Sequence, residues 1–402
     1  MIKDIDTLYS RIAGNMKRSA IREILKLTQQ PDIISFAGGL PSPESFPVEE
    51  VKKISEKVLT EKGITALQYG TTDGCVELRE QLSQKYKREG LDIDIKNILI
   101  TTSSQQGLDL VGKIFVNPGD KVICGLPSYL GGISSFAAYG AELIGIKFDE
   151  HGMRSDKLSE TLESLKQQGI RPKFIYIIPD FQNPAGITMP EFRRREILEL
   201  AYKYNVLIIE DSPYRELRFD GKPQKMIYEL DDQGYVLTLG TFSKILAPGF
   251  RMGWILGNDQ LIDKLIVAKQ STDLCTPAFL QLIIAEYMKQ GLLEKNLINT
   301  INAYREKRNL MLKCFREMMP EGVTWTEPEG GLFLFLNLPE DMDASELFNI
   351  AIEKKVAFVI GQVFHCDGSG KNTMRFNFSF ASHEQIKTGI ARLAEAIKDM
   401  MK

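Results

Sequence analysis

Several short stretches of this chain set reactive or ligand-binding side chains directly after apolar runs. In 238–254, TLGTFSKILAPGFRMGW, an apolar run ends in Gly240-Thr241-Phe242-Ser243 and Lys244 follows. Open α/β sheets bind ligands at the carboxyl ends of their strands. A lysine held there among small and apolar neighbours is desolvated, which lowers its pKa and frees the amine to attack a carbonyl. Ser243 and Arg251 flank it, and both can hold a phosphate, the arginine through two bonds at once. The plain alternative is a solvent-facing lysine after a strand. The run 206–209 ends in Glu210-Asp211 and continues Ser212-Pro213-Tyr214. A buried Asp211 needs a cationic partner, such as a protonated pyridine nitrogen; otherwise it caps a turn. The run 174–178 leads into Pro179-Asp180-Phe181-Gln182-Asn183-Pro184-Ala185-Gly186. Asn183 before proline is extended or in a turn, and its amide can donate to a phenolic oxygen or simply close an Asx turn.

Two further stretches complete the set. Residues 98–101 lead into Thr102-Ser103-Ser104-Gln105-Gln106-Gly107, which opens an apolar helix over 108–116. Backbone N–H groups and hydroxyls at a helix start form an anion site, although such residues often serve only as caps. Tyr129, in Pro127-Ser128-Tyr129, can stack on a flat ring or belong to the core. Together these ends supply an anion cradle, a stacking face, a donor to a phenolate, a carboxylate and an imine-forming amine. That inventory suits one cofactor, pyridoxal 5'-phosphate.

The elements that must position these groups are legible as a pattern. Short Ile/Val/Leu-rich runs at 97–101, 121–125, 141–148, 173–178, 206–210, 236–240 and 253–256 lack clean alternation, as strands buried on both faces do. Helical stretches such as 191–204 intervene, and the connection lengths favour right-handed crossovers. The fold class expected is α/β: a mostly parallel seven-stranded sheet between helices. After about residue 259 come helical stretches at 261–269 and 292–319, strand-like runs at 331–338 and 373–379, and a final helix from His383. These read as a smaller α+β domain. The expected division is an arm with a covering helix at 1–45, a large domain at 46–285 and a small domain at 286–402. The arm's helix spans 19–29, with Ser19 as N-cap and Pro31 ending it.

The 402 residues carry a net charge of −3, which argues against a general affinity for nucleic acid or acidic membranes. Arg193-Arg194-Arg195 reads as a solvated helix face. Five scattered cysteines with no C-x-x-C pair fit reduced thiols in a cytoplasmic protein, and with only three histidines a metal centre is not expected. The first twenty residues have no apolar segment of the kind a signal peptide carries, and no run approaches the roughly 18 apolar residues of a membrane span.

As a set, Asn183-Pro-x-Gly, Asp211-x-x-Tyr214, Ser243-Lys244 and Arg251 resemble the class I/II aminotransferases of fold type I, over almost the whole chain. The resemblance implies that Lys244 carries the cofactor and moves a proton between Cα and C4′, and that Asp211 keeps the pyridine nitrogen protonated. It implies that Tyr214 and Asn183 bond the ring O3′ and Tyr129 stacks on the ring. Ser103, Ser104, Gln105, Ser243 and Arg251 would surround the phosphate, and Arg375 would grip the substrate α-carboxylate together with Asn183. The Lys244–Arg251 spacing is one residue shorter than usual in the broad family. With Phe36-Ala37-Gly38-Gly39-Leu40-Pro41 and Leu67-Gln68-Tyr69-Gly70 it resembles the branch of 2-aminoadipate and kynurenine aminotransferases. In that branch Gly39 contacts the substrate carboxylate and Tyr69 reaches the partner subunit's phosphate, implying a homodimer. Ser103 stands where the branch often has glycine; a small residue is kept, so little consequence is expected. Ser19 and Arg22 resemble a mobile substrate-covering helix. On that resemblance Arg22 pairs with a distal carboxylate, favouring glutamate or 2-aminoadipate; a surface arginine is the alternative.

Transamination is the activity expected. A lyase or decarboxylase on the same cofactor is an alternative, since the alignment of the broken bond decides and sequence shows it poorly. The same branch includes aminotransferase-like halves of transcription regulators. The motifs begin by residue 38, which leaves no room for a winged helix, so that reading is disfavoured.

Overall fold

The computed structural model describes residues 4–14, 16 and 32–402. The expected helix 19–29, with Ser19 and Arg22, lies outside the described residues. Strands are numbered in chain order: β1 Ile34–Ser35, β2 Ile98–Thr101, β3 Lys121–Leu126, β4 Glu142–Asp149, β5 Gly152–Met153, β6 Phe174–Ile177 and β7 Leu207–Asp211. The rest are β8 Val236–Thr241, β9 Gly253–Leu256, β10 Thr324–Trp325, β11 Phe333–Asn337, β12 Val356–Ala357, β13 Val359–Ile360 and β14 Thr373–Asn377. The large sheet has eight strands in the order β2-β9-β8-β7-β6-β3-β4-β5. All seven expected runs are strands of it. The eighth, β5, is a two-residue return antiparallel to β4, too short to leave a pattern in the sequence. β8, β7, β6, β3 and β4 pair in parallel, while β9 runs antiparallel to both β2 and β8.

Burial explains the missing alternation. Every residue of β2, β6, β8 and β9 is buried, because helices cover both faces. Helix Ser103–Phe115 packs close to β8 and β9. Gly107 permits this, since a Cβ there would stand 3.1 Å from Leu239 and 3.5 Å from Ile255. Helix Glu191–Tyr204 does not present Arg193-Arg194-Arg195 to solvent as expected. Only Arg195 is exposed; Arg193 and Arg194 are buried. Arg194 donates to both oxygens of buried Asp180 (2.8 and 3.2 Å) and to the Met189 and Lys225 carbonyls. The paired carboxylate and carbonyls offset the cost of burying its charge, and they anchor the loop that carries Asn183.

A second, antiparallel sheet has the order β10-β11-β14-β13 and is flanked by helices Leu292–Met318 and His383–Met400. Ser382 and Gln385 start the last helix with reciprocal side-chain-to-backbone bonds, a capping box. β1 pairs in parallel with β12, Ile34 opposite Val356, so the chain before the large sheet is tied to the region of the small one. Among the described residues no helix is long and apolar enough to cross a membrane.

Candidate active site

Successive residues of a strand face opposite sides of its sheet, and this separates the two carboxylates at the end of β7. Glu210 accepts the backbone N–H groups of Ile227 and Tyr228 (2.9 and 3.1 Å) and the Thr238 hydroxyl (2.8 Å), so it is a satisfied structural group. Asp211, on the other face, accepts the Tyr176 hydroxyl on Oδ2 at 2.7 Å. Its Oδ1 is buried and without a hydrogen-bond partner. Burial pushes the Asp211 carboxyl up to about 7, against the pull of the Tyr176 bond. A buried acceptor left open in this way calls for a donor that the described residues do not provide.

Beside it runs a chain of contacts joining the two sheets. Asn183 donates from Nδ2 to the Tyr214 hydroxyl (3.2 Å) and accepts on Oδ1 from Arg375 of β14 (2.9 Å). The second Arg375 nitrogen donates to the Ala37 carbonyl (2.8 Å), while its Nε is buried and unbonded. The guanidinium lies over the rings of Phe333 and Phe364, 4.3 and 5.0 Å from their centroids. Burial pulls Arg375 down to about 10. No carboxylate among the described residues pairs with it, so it is a buried cation open to an anion. Tyr129 lies against this cluster: its phenol raises the pKa of Tyr214 and its ring would meet a Cβ at Gly131 within 2.5–2.6 Å.

Lys244 follows β8. Its side chain is half-buried and its amine donates to the Gly39 carbonyl at 2.8 Å. Desolvation first, then the charges of Arg375 and Arg251, lower its pKa to about 8. The Gly39 loop is itself held. Asn377 N–H donates to the Phe36 carbonyl, the Ser379 hydroxyl to the Leu40 carbonyl and Ser42 N–H to the Tyr304 hydroxyl, each at 2.8 Å.

The expected anion cradle is the turn from β2 into helix Ser103–Phe115. Ser103 stands there at φ 67°, a left-handed conformation that glycine adopts without steric cost. The position is therefore not the neutral exchange the sequence implied. The Thr101 hydroxyl closes the turn by donating to the Ser103 carbonyl (3.0 Å). Ser104 is half-buried at the helix start. The Gln105 side chain is turned to the helix Leu130–Ala137, donating to Ser135 Oγ (2.7 Å), which leaves its backbone N–H for an anion. Gly253 of β9 lets the turn approach: a Cβ there would lie 2.7 Å from the Ser103 carbonyl carbon and the Ser104 nitrogen. Ser243 is buried, and its backbone N–H and hydroxyl both meet Thr241 Oγ1 (3.1 and 3.0 Å). Arg251 is exposed, at φ 48°. Tyr69 is exposed too, at 79%.

Three contributors carried no signal in the sequence. Tyr176 lay inside an apolar run; the Ala37 carbonyl is backbone; and Asp273, which accepts from Thr102 (3.0 Å) and Gln106 (2.7 Å), is distant in sequence from the turn it steadies.

The pocket fits pyridoxal phosphate. The open Asp211 Oδ1 suits a ring N–H, the Asn183–Tyr214 pair a phenolic oxygen, the Ser103–Gln105 helix start a phosphate and Lys244 an aldehyde.

Comparison with known proteins agrees. Residues 31–393 match the family model "Aminotransferase class I and II". The chain is 48% identical over 401 residues to aromatic-amino-acid aminotransferase 1 of Thermococcus litoralis, covering 99% of this chain and 96% of that protein. It is 40% identical over 396 residues to 2-aminoadipate transaminase of Thermus thermophilus, covering 98% and 97%. The fold superposes on a crystal structure of Pyrococcus horikoshii kynurenine aminotransferase, in complex with PMP, at a TM-score of 0.96 and 46% identity, covering 100% and 99% of the two chains. This chain therefore belongs to the class I and II aminotransferases, enzymes of PLP fold type I.

Proposed function

We propose that the chain passes the amino group of an L-amino acid to a 2-oxo acid in the pocket around Lys244, with glutamate and 2-oxoglutarate as one pair. The other pair is a 2-aminoadipate-like, aromatic or aliphatic amino acid. The activities for which these relatives are named, on aromatic amino acids, 2-aminoadipate and kynurenine, support that range. Bound there, pyridoxal phosphate supplies an aldehyde for the amine and a protonated ring that accepts the electrons left at Cα.

One observation carries the reading: a primary amine lowered to about 8 lies near Arg375, which Asn183 joins to Tyr214, and beside Tyr214 stands the buried Asp211 carboxyl with one oxygen open. Near neutral pH a useful fraction of Lys244 is unprotonated, and it then serves as nucleophile and as proton carrier at Cα. Asp211 holds the ring nitrogen's proton. Asn183 and Tyr214 bond O3′, and Tyr129 covers the ring face. Ser103, Ser104, Gln105, Ser243 and Arg251 bind the phosphate. Arg375, with Asn183 and the Gly39 loop, takes the α-carboxylate, an assignment supported by its lack of any acidic partner among the described residues. The protein acts in the cytoplasm as a homodimer, each Tyr69 reaching the partner's phosphate. The exposure of Tyr69 supports this last point.

The decisive measurement gives pyridoxal phosphate to wild-type and Lys244→Ala protein and follows 2-oxo acid formation from a panel of amino donors with 2-oxoglutarate. The variant is expected to lose at least about 10³-fold, losing both nucleophile and proton carrier. A variant turning over at the wild-type rate ends the assignment, and ammonia release in place of glutamate formation would instead indicate a lyase.

A further inference from the structure

The oxygen of Asp211 that already has a partner is as informative as the open one. The two oxygens of a carboxylate are equivalent, and rotation about the Cβ–Cγ bond exchanges them. Only a fixed donor on one oxygen determines where the other points. Tyr176 is that donor, and its placement follows from sheet geometry. β6 and β7 are parallel neighbours with Tyr176 opposite Ile209. Asp211 is two residues beyond Ile209, so it shares Tyr176's face, one pleat nearer the carboxyl end. The diagonal step between such positions is about 7 Å, which the long phenol spans to bring its hydroxyl 2.7 Å from Oδ2.

The ring cannot leave this line. It is fully buried and packs edge-on against Phe136 with centroids 5.3 Å apart. On another side it lies over Gly132, where a Cβ would come within 2.7 Å of two ring carbons. Burial and the neighbouring Asp211 hold the phenol well above its ordinary pKa, so it stays a donor throughout the neutral range.

From this geometry we infer that Tyr176 is a positioning residue for transamination: its hydroxyl fixes Oδ2 of Asp211, aims Oδ1 at the ring nitrogen of bound cofactor and favours the ionised carboxylate. The inference rests on the role given to Asp211 above.

Tyr176→Phe tests it, keeping the ring contacts and removing only the donor. Binding of pyridoxal phosphate to cofactor-free protein is titrated by fluorescence between pH 5.5 and 9. A hydrogen bond to a charged group accounts for about a tenfold change in affinity or more, so the variant is expected to bind about tenfold more weakly at pH 8. Because the lost bond lowered the pKa of Asp211, the fall in affinity on acidification should begin at a higher pH than in wild type. The kcat should drop about tenfold with KM for the amino donor within about twofold. In an Asp211→Asn background the same substitution should change cofactor affinity less than about twofold, since the hydroxyl acts through the carboxylate. Equal losses in both backgrounds would show ordinary packing damage and overturn the inference, as would a Tyr176→Phe protein with unaltered affinity and acid limb. If wild type itself failed to bind the cofactor, the assignment of the pocket would fall first, before any variant is compared.

Discussion

A carboxylic acid buried with one oxygen unpaired resists ionising, and for Asp211 this places a proton-linked cost in the cofactor-free protein. Its folded pKa of about 7 lies above the unfolded value near 3.8. Between those two values the folded chain keeps a proton that the unfolded chain has lost, so stability falls as pH rises through that window and levels off above about 7. Lys244 does not confuse the measurement. Its depressed pKa makes stability rise with pH, but only between about 8 and the ordinary 10.5. Cofactor-free wild type is thus expected to lose more melting temperature than Asp211→Asn between pH 5 and pH 8 in thermal scans. Parallel curves for the two proteins would mean that Asp211 is not held in this state. A second measurement belongs to Lys244. Because the free amine is the nucleophile, the rate at which cofactor-free protein captures pyridoxal phosphate, read by absorbance, should climb with pH and flatten near 8; a plateau only above 10 would remove the desolvated lysine. At this scale the sequence is readable where a side chain lies at a strand end or in the short loop after it, as Asp211, Lys244 and Asn183 do. It is silent where a role depends on which face of a neighbouring strand is shared, as with Tyr176.

The turn between β2 and helix Ser103–Phe115 is squeezed from below by β9, and Gly253 sets the clearance. Because an added Cβ would meet backbone atoms at 2.7 Å, relief requires the turn itself to move. Gly253→Ala is expected to weaken pyridoxal phosphate binding by about tenfold or more, in proportion to lost phosphate contacts. Free pyridoxal, which lacks the phosphate, should be affected much less, and equal weakening of both would contradict the idea of an anion cradle. Ser103 supplies the converse case. A left-handed residue with a side chain costs about 1 kcal/mol relative to glycine. Ser103→Gly should therefore raise the melting temperature by about a degree or two, and a lowered value would mean that the buried Ser103 hydroxyl contributes more than the strain removes. Elements such as β6, β7 and β8 were visible as apolar runs because both of their faces are covered. The sheet order was not visible, since β9, a near neighbour of β8 in sequence, also pairs with β2 through contacts made some 150 residues apart. Arg194 was misread for a related reason: its partner Asp180 sits on a loop that the helix pattern does not reveal.

One face of the molecule is left with apolar side chains in water. Ile64, Leu67 and Tyr69 are 92%, 76% and 79% exposed within six residues of chain, at the end of helix Val48–Ala66 and just beyond it. Three large side chains so close together in solvent mark an association surface more readily than a solvated one, and a second copy of the chain is the occupant that the homodimer reading requires. Since Ile64 and Leu67 are not among the groups assigned to the cofactor, charge placed there should act on it only through assembly. Leu67→Asp combined with Ile64→Asp is expected to give a folded monomer by light scattering, because exposed substitutions rarely unfold a domain. That monomer should bind pyridoxal phosphate several-fold more weakly than wild type, having lost the partner's Tyr69 hydroxyl. Tyr69→Phe should weaken binding by a similar factor while the mass stays that of a dimer. The two variants thus separate assembly from the hydroxyl itself: a charged double variant that remains dimeric places the interface elsewhere, and a monomer with undiminished affinity leaves Tyr69 outside the phosphate site.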